Sequence, residues 1–232
     1  MNEGRDSEGG RYQLTHEIGF INRFVGDLYE PKKLLDVCCG SGSLSLSIQN
    51  SDFHAIGLDI DFLVLNRYRQ RSGGVSLTQG DALCMPFAEG SIDCIIAMHC
   101  FDHLDRIRFL RECIRVLCSS GLLIFESLNR NSYKWALKRL LHIARKSSAR
   151  RSSEKWINIF SCREVLQAVV DCGFDVQVVY GYNWIPFTQE SNSRLINPAA
   201  FIERALHLDR FFMISPRFLV VAKKREISND GC

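Results

Sequence analysis

The segment 98–103, Met-His-Cys-Phe-Asp-His, brings two histidines and a carboxylate close together in the chain. Imidazole titrates at about pH 6.5 when unperturbed, so a histidine here could remove a proton from a hydroxyl acceptor. The segment directly follows a strongly apolar run, 92–98, that is typical of a buried strand. His103 and His99 are therefore candidate catalytic bases. A purely structural role for both histidines is the alternative.

A glycine-rich turn follows another short apolar run, 33–37, and forms the second feature with chemical potential. Its sequence from Asp36 to Gly42 is Asp-Val-Cys-Cys-Gly-Ser-Gly. Gly40 and Gly42 permit a tight turn and allow a ligand to approach the backbone. We expect a helix to begin at Leu44, with an N-terminus that favours a carboxylate or phosphate. A turn without a ligand is the alternative, because this motif alone is weak evidence.

Acidic residues follow the next two predicted strands. Asp59 could accept hydrogen bonds from ribose hydroxyls, because Asp61 is the better candidate for the N-cap of the next helix. Asp81 could accept from an exocyclic amine, with the N–H of Ala82 donating to a ring nitrogen. An aspartate that bonds the backbone of its own turn is the alternative for Asp81.

Strands and helices alternate along the chain and would bring these residues together. The predicted strands are 33–37, 53–58, 75–78, 92–98, 121–125, 175–180 and 218–222. The predicted helices are 11–29, one opening at 44–49, 62–71, 104–117, 132–145, 161–171 and 198–208. This order predicts an α/β protein with a parallel sheet covered by helices on both faces. Ligands of such sheets bind beyond the carboxyl ends of the strands, where the candidate residues lie.

Length and composition fit one domain. The chain has 232 residues, of which 46% are hydrophobic, and the net charge is only +3. These values predict a single domain over 11–225 and give no reason to expect a specific nucleic-acid partner. Residues 1–10 are polar and are expected to be a disordered leader, and 226–232 a tail.

The cysteines and the apolar runs bear on location. Ten cysteines occur without any CxxC pair, so we expect reduced thiols in a cytoplasmic protein rather than disulfides or a metal site. No apolar run is long enough to span a membrane.

Segment 130–155 holds nine Lys or Arg and one acid, Glu154, interleaved with apolar residues. Such a basic amphipathic helix could contact a peripheral membrane surface or an anionic acceptor, and a solvated face is the alternative.

Taken together, these motifs resemble the class I S-adenosylmethionine-dependent methyltransferases over about 11–223. Segment 34–42 is similar to their first motif, 57–59 to their ribose acid, 80–87 to their adenine motif, and 115–123 to the turn into strand five. The pairs 129–130, 180–181 and 186–187 resemble small-molecule members of the methyltransferase-domain 11/25 type. Cys38 stands where the first motif usually begins with glycine. Segments 130–155 and 186–214 are interpreted as insertions relative to this family, and the resemblance implies that they lie over the acceptor site.

The resemblance implies a Rossmann-like, doubly wound, mostly parallel seven-stranded sheet of order 3-2-1-4-5-7-6, with the last strand antiparallel. It implies S-adenosylmethionine as cofactor, no metal, and methyl transfer to oxygen or nitrogen of a small-molecule acceptor, with a saccharide or lipid-linked metabolite as the class it suggests. The cofactor-binding residues implied are Asp36, Cys38, Gly40, Gly42, Asp59, Ile60, Asp81, Ala82, Met98 and Tyr12. Among them, Tyr12 could close over the cofactor from the first helix.

Three other interpretations remain open. A nicotinamide-dependent oxidoreductase would share the turn and the ribose acid, but Ser45 occupies the place of its third glycine. An RNA methyltransferase would be expected to carry a different acceptor motif after strand four. A non-catalytic scaffold of the same fold would be expected to lose the turn or Asp59. The sequence leaves the oligomeric state open.

Overall fold

A seven-stranded sheet organises the protein. The computed structural model describes residues 7–25, 32–48, 53–72, 74–144, 158–185 and 187–226. The strands are β1 Lys32–Val37, β2 Phe53–Asp59, β3 Ser76–Gln79, β4 Ile92–Ala97, β5 Leu117–Leu128, β6 Phe174–Tyr182 and β7 Arg217–Lys224. Their order is β3-β2-β1-β4-β5-β7-β6, and β7 runs antiparallel to both of its neighbours. The predicted order and the antiparallel last strand are confirmed.

Six helices and three short 3-10 turns are present in the described ranges. The helices are α1 Glu8–Val25, α2 Phe62–Arg71, α3 Arg106–Val116, α4 Tyr133–Ala144, α5 Cys162–Asp171 and α6 Ile196–Ala205. The 3-10 turns are Ser45–Ser47, Phe101–His103 and Leu208–Phe211. Ser161 caps α5 in a capping box with Glu164, as its sequence predicts.

The strands are apolar on both faces because helices cover both sides of the sheet. Ile95 and Ile96 are adjacent in β4 and point to opposite faces. Ile95 packs in a core with Phe109 of α3, whereas Ile96 packs in a second core with Ile21 of α1. A strand buried on both sides therefore reads as a continuous apolar run rather than an alternating one.

The prediction that a helix begins at Leu44 is wrong over the residues that the structure describes. Only the 3-10 turn Ser45–Ser47 forms, and its N-cap Leu44 makes no capping bond. The serines use their hydroxyls elsewhere: Ser45 donates to Asp36, and Ser47 donates to the carbonyl of Ser43 at 2.9 Å. Serine side chains that bond nearby groups in this way compete with helix formation. Residue 49 lies outside the described residues.

The boundary of the predicted disordered leader is also corrected. Helix α1 begins at Glu8, three residues before the expected start at Arg11. The N–H of Gly9 donates to the carbonyl of Ser191 at 2.9 Å. A Cβ at Gly9 would overlap the carbonyl oxygen of Thr188, so glycine permits this close approach. The start of α1 is thus docked on the segment that follows β6.

Other expectations fall partly outside the described residues. These are residues 1–6 of the leader, 26–29 of the first helix, 145–155 of the basic segment, and 227–232 of the tail. Nine cysteines are described and all nine are free thiols, as expected. Among the described residues, no helix is both long and apolar enough to cross a membrane.

Candidate functional site

A cavity of about 190 Å³ opens at the carboxyl ends of β1 and β4. Its lining residues are Asp36, Cys38, Cys39, Gly40, Ser41, Ser43, Leu44, Met98, His99 and Cys100. The glycine turn after β1 and the histidine segment after β4, which are far apart in sequence, therefore face the same space. This is the position where ligands bind in open α/β sheets, at the point where strand order reverses.

The two glycines of the turn serve different purposes. Both have left-handed backbone, with φ of +54° at Gly40 and +76° at Gly42. A Cβ at Gly42 would overlap the buried ring of Tyr68, whereas a Cβ at Gly40 would meet nothing within 4 Å. Gly40 therefore leaves its backbone open to the cavity. Cys38, which stands in place of a glycine, also keeps a left-handed φ of +58°.

Asp59 at the end of β2 borders the turn. Its Oδ2 accepts from the N–H of Gly40 at 2.9 Å, and its Oδ1 accepts from the N–H of Asp61 at 3.0 Å. A carboxylate offers about four acceptor positions, so two remain for ligand hydroxyls. Asp61 caps α2 by accepting from the N–H of Leu63 at 2.8 Å, which confirms its predicted role.

The loop after β3 is held in place by helix α3. Asp81 is exposed and accepts from the N–H of Leu83 at 2.8 Å, which is the turn role named as its alternative. Ala82 is buried in the core. Glu112 accepts from the N–H of Met85 at 2.6 Å, and Arg115 donates to the carbonyl of Met85 at 2.9 Å. These contacts fix the loop beside Asp59.

Two other predicted cofactor residues lie outside the cavity lining. Ile60 follows Asp59 and is 68% exposed, so its side chain is free to pack against a flat ligand ring. Tyr12 is buried in a core cluster with Ile196 and Ala200 of α6. Its hydroxyl donates to the buried Glu203. Tyr12 is therefore placed as a core residue between α1 and α6, and not as a lid over the cavity.

His99 is the centre of a buried ionic cluster at the edge of the cavity. Its Nε2 lies 2.8 Å from Oε1 of Glu17 on α1, and its Nδ1 lies 2.8 Å from Oε2 of Glu126 on β5. Arg217, at the start of β7, donates to Oε1 of Glu126. The hydroxyl of Tyr182 donates to Glu17 at 3.3 Å. His99 reaches this position with a left-handed φ of +59°.

These neighbours determine the protonation of the cluster. Burial alone would lower the pKa of His99, but the carboxylates of Glu126 and Glu17 outweigh burial and raise it to about 10. Burial would raise the pKa of Glu126, but Arg217 and His99 hold it well below its usual range. His99 is therefore an imidazolium at neutral pH, with both ring nitrogens donating. In this arrangement it cannot also accept a proton, which contradicts its expected role as a resting base.

The same cluster presents potential metal ligands. One atom each of Glu17, His99 and Glu126 lie within 4.8 Å of one another. However, Arg217 already binds one oxygen of Glu126. The imidazolium and the guanidinium together balance the two carboxylates. Charge balance therefore favours a hydrogen-bonded cluster over a metal centre at this position.

Sequence reasoning missed Glu17, Glu126 and Arg217. Glu126 carried a signal, because it is the one charged residue in the apolar run 122–128 of β5. Glu17 carried another, because it lies four residues from Ile21 on the buried face of α1. A charged residue at such positions is seldom buried unless it is paired. The identity of the partner could not be read from either position.

His103 lies elsewhere. It is exposed on the 3-10 turn Phe101–His103 and lines a separate cavity with Arg106, Asn158 and Phe160. The neighbouring Asp102 is buried and accepts from the hydroxyl of Ser127 at 2.7 Å. Burial raises the pKa of Asp102 to about 6. The turn is thus tied to β5, while His103 itself does not line the first cavity.

A second cavity of about 270 Å³ lies on the other side of the ionic cluster. Its lining residues are Gln13, Leu128, Ser132, Lys134, Trp135, Asn183, Phe187, Thr188, Gln189, Pro216 and Arg217. Gln13 and Asn183 are only 4% and 8% exposed, yet Oε1 of Gln13 and Oδ1 of Asn183 have no hydrogen-bond donor in the described structure. Arg217 lines this cavity and binds Glu126. Glu126 in turn binds His99, which lines the first cavity.

Comparison with known proteins agrees with the fold. Residues 35–125 match the family model described as a methyltransferase domain. The chain is 33% identical over 106 residues to ajmaline N-methyltransferase of Rauvolfia serpentina, covering 42% of this chain and 36% of that protein. It is 29% identical over 143 residues to the ubiquinone biosynthesis O-methyltransferase of Cronobacter sakazakii, covering 57% and 58%. The chain thus spans less than two thirds of each of these curated relatives.

Solved structures share the architecture at lower identity. A methyltransferase described as S-adenosylmethionine-dependent, from Methanosarcina mazei, superposes with a TM-score of 0.61 at 20% identity, covering 87% of this chain and 96% of that one. Geranyl diphosphate C-methyltransferase of Streptomyces coelicolor gives a TM-score of 0.62 at 17% identity, covering 90% and 76%. At these identities the likeness establishes the fold.

Proposed function

We propose that this protein is a class I S-adenosylmethionine-dependent methyltransferase and that it transfers the methyl group to a small, hydroxylated acceptor. The match of residues 35–125 to the methyltransferase-domain model and the sheet order support this proposal. The observation that carries the proposal is the pair of cavities on either side of the His99 cluster. The first cavity takes the cofactor and the second takes the acceptor. The methyl-accepting atom is oxygen, with nitrogen as the other candidate.

The residues present fit the cofactor. Asp59 retains acceptor positions for ribose hydroxyls, and Gly40 leaves its backbone open to the cavity. Asp36 is a buried carboxylate in the cavity wall and suits the amino group of the methionine portion. Ile60 offers an exposed apolar surface beside Asp59 for the adenine ring. When bound, the cofactor supplies a methyl group on a sulfonium, so the protein's main task is alignment of the acceptor.

The second cavity favours an acceptor that donates hydrogen bonds. Buried polar atoms are nearly always paired in folded proteins, so the free oxygens of Gln13 and Asn183 indicate places for ligand donors. Hydroxyl groups supply such donors, and the ring of Trp135 provides an apolar wall beside them. A saccharide or a hydroxylated lipid-linked metabolite has both features. This acceptor class rests on the cavity lining.

The proton of the acceptor hydroxyl goes to Glu17. Gln13 and Glu17 are one helical turn apart on α1, so they lie on the same face of the helix. Oε2 of Glu17 is buried without a donor, while Oε1 is held by the imidazolium of His99. A hydroxyl bonded to Gln13 would be close to the free oxygen of Glu17. His99 then orients this carboxylate, which is a positioning role.

Calorimetric titration with S-adenosylmethionine, S-adenosylhomocysteine and NADH tests the cofactor assignment. We expect the two adenosyl ligands to bind, and Asp59→Ala to weaken their binding by about tenfold to a hundredfold, from loss of hydrogen bonds to a charged group. Asp61→Ala is the matched control, because it removes only the cap of α2. Binding of NADH alone would favour an oxidoreductase, and failure of all three would favour a scaffold.

Acceptor screening then tests the class. Release of S-adenosylhomocysteine is measured with hydroxylated small molecules, amines and RNA as acceptors. Turnover with RNA alone would favour an RNA methyltransferase and overturn the small-molecule proposal. The nine free thiols agree with a reducing compartment, and we place the reaction in the cytoplasm.

A further inference from the structure

Helix α6 is apolar on both of its faces. Its inward face packs against the body of the protein through Ile196, Ala200 and Glu203, which are all buried. Its outward face carries Phe201 and Ile202, which are 67% and 54% exposed. A helix that covers a soluble protein normally presents polar residues to solvent. The outward face of α6 departs from this pattern.

The exposed apolar residues form a repeat along the helix. Pro198, Phe201, Ile202, Ala205 and Leu206 are exposed and follow the i, i+3, i+4, i+7, i+8 pattern of one helical face. We call these five residues the α6 face. Large exposed apolar patches mark sites of interaction with proteins or membranes. A scattering of single apolar residues would carry no such meaning.

A second exposed apolar segment adjoins α6. The chain leaves α6 through the left-handed residue His207 and enters the 3-10 turn Leu208–Phe211, which packs against α6. Phe211, Met213 and Ile214 are 55%, 42% and 49% exposed. The carbonyl of Ile214 accepts from the N–H of Tyr133 at 3.1 Å, so this segment is fixed beside the start of α4.

The charges around these residues are mostly positive. Arg194, Arg204 and Arg210 are exposed, and none forms an ion pair with a described carboxylate. Glu203 points inward and is bonded to Tyr12, so it does not offset them at the surface. The other acid in the stretch from α6 to Ile214 is Asp209, which is partly exposed. An apolar stripe bordered by unpaired arginines suits an anionic surface.

We propose that the α6 face and the segment from Phe211 to Ile214 dock the protein onto an anionic lipid bilayer. The apolar side chains enter the boundary between head groups and acyl chains, and the three arginines bind the head groups. A two-fold dimer through the same face would bring the arginines of both copies into one interface, with little acid to pair them. The charge pattern therefore favours an anionic bilayer over a second copy.

The position of this surface agrees with the acceptor cavity. The N–H of Tyr133 binds Ile214, and the next residue, Lys134, lines the cavity. Asn129 donates to the carbonyls of Phe212 and Met213 at 3.3 and 2.9 Å. The bilayer-facing segment and the cavity are thus built on the same start of α4. Docking would place the cavity close to acceptors held in the membrane, although docking itself does not depend on the proposed reaction.

Co-sedimentation with vesicles of phosphatidylcholine, alone or mixed with phosphatidylglycerol, tests the proposal. The wild-type protein is expected to bind the anionic vesicles, and high salt should weaken this binding. Replacing Phe201 and Ile202 by Ser, or Arg204 and Arg210 by Glu, should each lower the bound fraction by about tenfold or more. The matched controls are Val170→Ser and Arg163→Glu on α5, which alter an exposed apolar residue and an exposed arginine on another helix.

Each result decides the proposal. Absence of wild-type binding to anionic vesicles, or equal binding by the α6 variants and the controls, would overturn it. A wild-type dimer that the Phe201 and Ile202 substitutions dissociate, without vesicle binding, would assign the face to a second copy instead. Binding of S-adenosylhomocysteine is measured on the same samples. Retained ligand binding shows that the variants are folded and separates this proposal from the proposed function.

Discussion

Nε2 of His99 lies 2.8 Å from Oε1 of Glu17, and this contact joins the end of β4 to helix α1. His99 lines the first cavity, while Glu17 lies one helical turn from Gln13 in the second. The two cavities are therefore connected through the ionic cluster, both by this ion pair and by the path from Arg217 through Glu126 to His99. Helix α1 in turn begins on the segment after β6 through Gly9.

The substitution Glu17→Gln is expected to lower the pKa of His99 from about 10 towards its ordinary range, because one of its two carboxylate partners is lost. The titration of the imidazole can be followed by nuclear magnetic resonance. Glu8→Gln is the control, because Glu8 is on the same helix but bonds the exposed Arg11. An unchanged titration in Glu17→Gln would show that Glu17 does not contact the imidazole in solution.

Stability should fall as the solution is made alkaline. The pKa of His99 is about 10 in the folded state, above its unfolded value of about 6.5. The contribution of His99 to the free energy of unfolding is therefore fully present below about pH 6.5 and is lost as pH rises through 10. Each unit by which the folded pKa exceeds the unfolded pKa corresponds to about 1.4 kcal/mol. Urea denaturation across this range measures the loss. In His99→Gln, the fall in the free energy of unfolding that is due to this group should vanish. An identical decline with pH in the variant and the wild type would show that His99 is not its source.

The sheet was predictable because each strand carries its own local signal. Ile95 and Ile96 belong to an apolar run that is typical of a strand buried on both faces. The turn around Gly40 and the cap Asp61 are likewise encoded within a few residues. Such features depend on neighbours in sequence, so a single sequence is sufficient to predict them.

The ionic cluster was not predictable in the same way. Glu17 and His99 meet only because α1 packs across the sheet, and nothing local to either residue names its partner. His99 and His103 carry equal signals in sequence, yet His99 lines the cavity whereas His103 lies on the 3-10 turn Phe101–His103 and is exposed. Tyr12 was equally ambiguous, and the packing of α6 made it a core residue.

Alanine at the two turn glycines should separate stability from binding. Gly42→Ala forces a methyl group into the ring of Tyr68 at a left-handed backbone, so the free energy of unfolding should fall by about 1–4 kcal/mol. Gly40→Ala meets open space, so it should cost only about 1 kcal/mol while placing a methyl group in the cavity. Urea denaturation and calorimetry with S-adenosylhomocysteine measure the two effects.

Two outcomes of the glycine substitutions would contradict these assignments. If Gly40→Ala bound S-adenosylhomocysteine as the wild type does, the open space above Gly40 would not be the cofactor site. If Gly42→Ala were as stable as the wild type, the packing of Tyr68 against the turn would be wrong. Gly19→Ala is a suitable reference, because Gly19 lies in α1 and its Cβ would also meet nothing within 4 Å.

The two histidines should differ sharply in their effect on turnover. His103 is exposed and lines neither the cofactor cavity nor the acceptor cavity, so His103→Ala should leave turnover unchanged. His99→Ala should lower turnover by about a hundredfold or more, because Glu17 loses the imidazolium that orients it. The carboxylates of Glu17 and Glu126 then face each other without a cation between them. The assay is release of S-adenosylhomocysteine with an acceptor found by screening. A large loss in His103→Ala with intact cofactor binding would move the proton-transfer site to the 3-10 turn. Turnover unchanged in His99→Ala would remove the ionic cluster from the mechanism, because a cluster that only supports the fold would alter unfolding but not the rate of the folded enzyme.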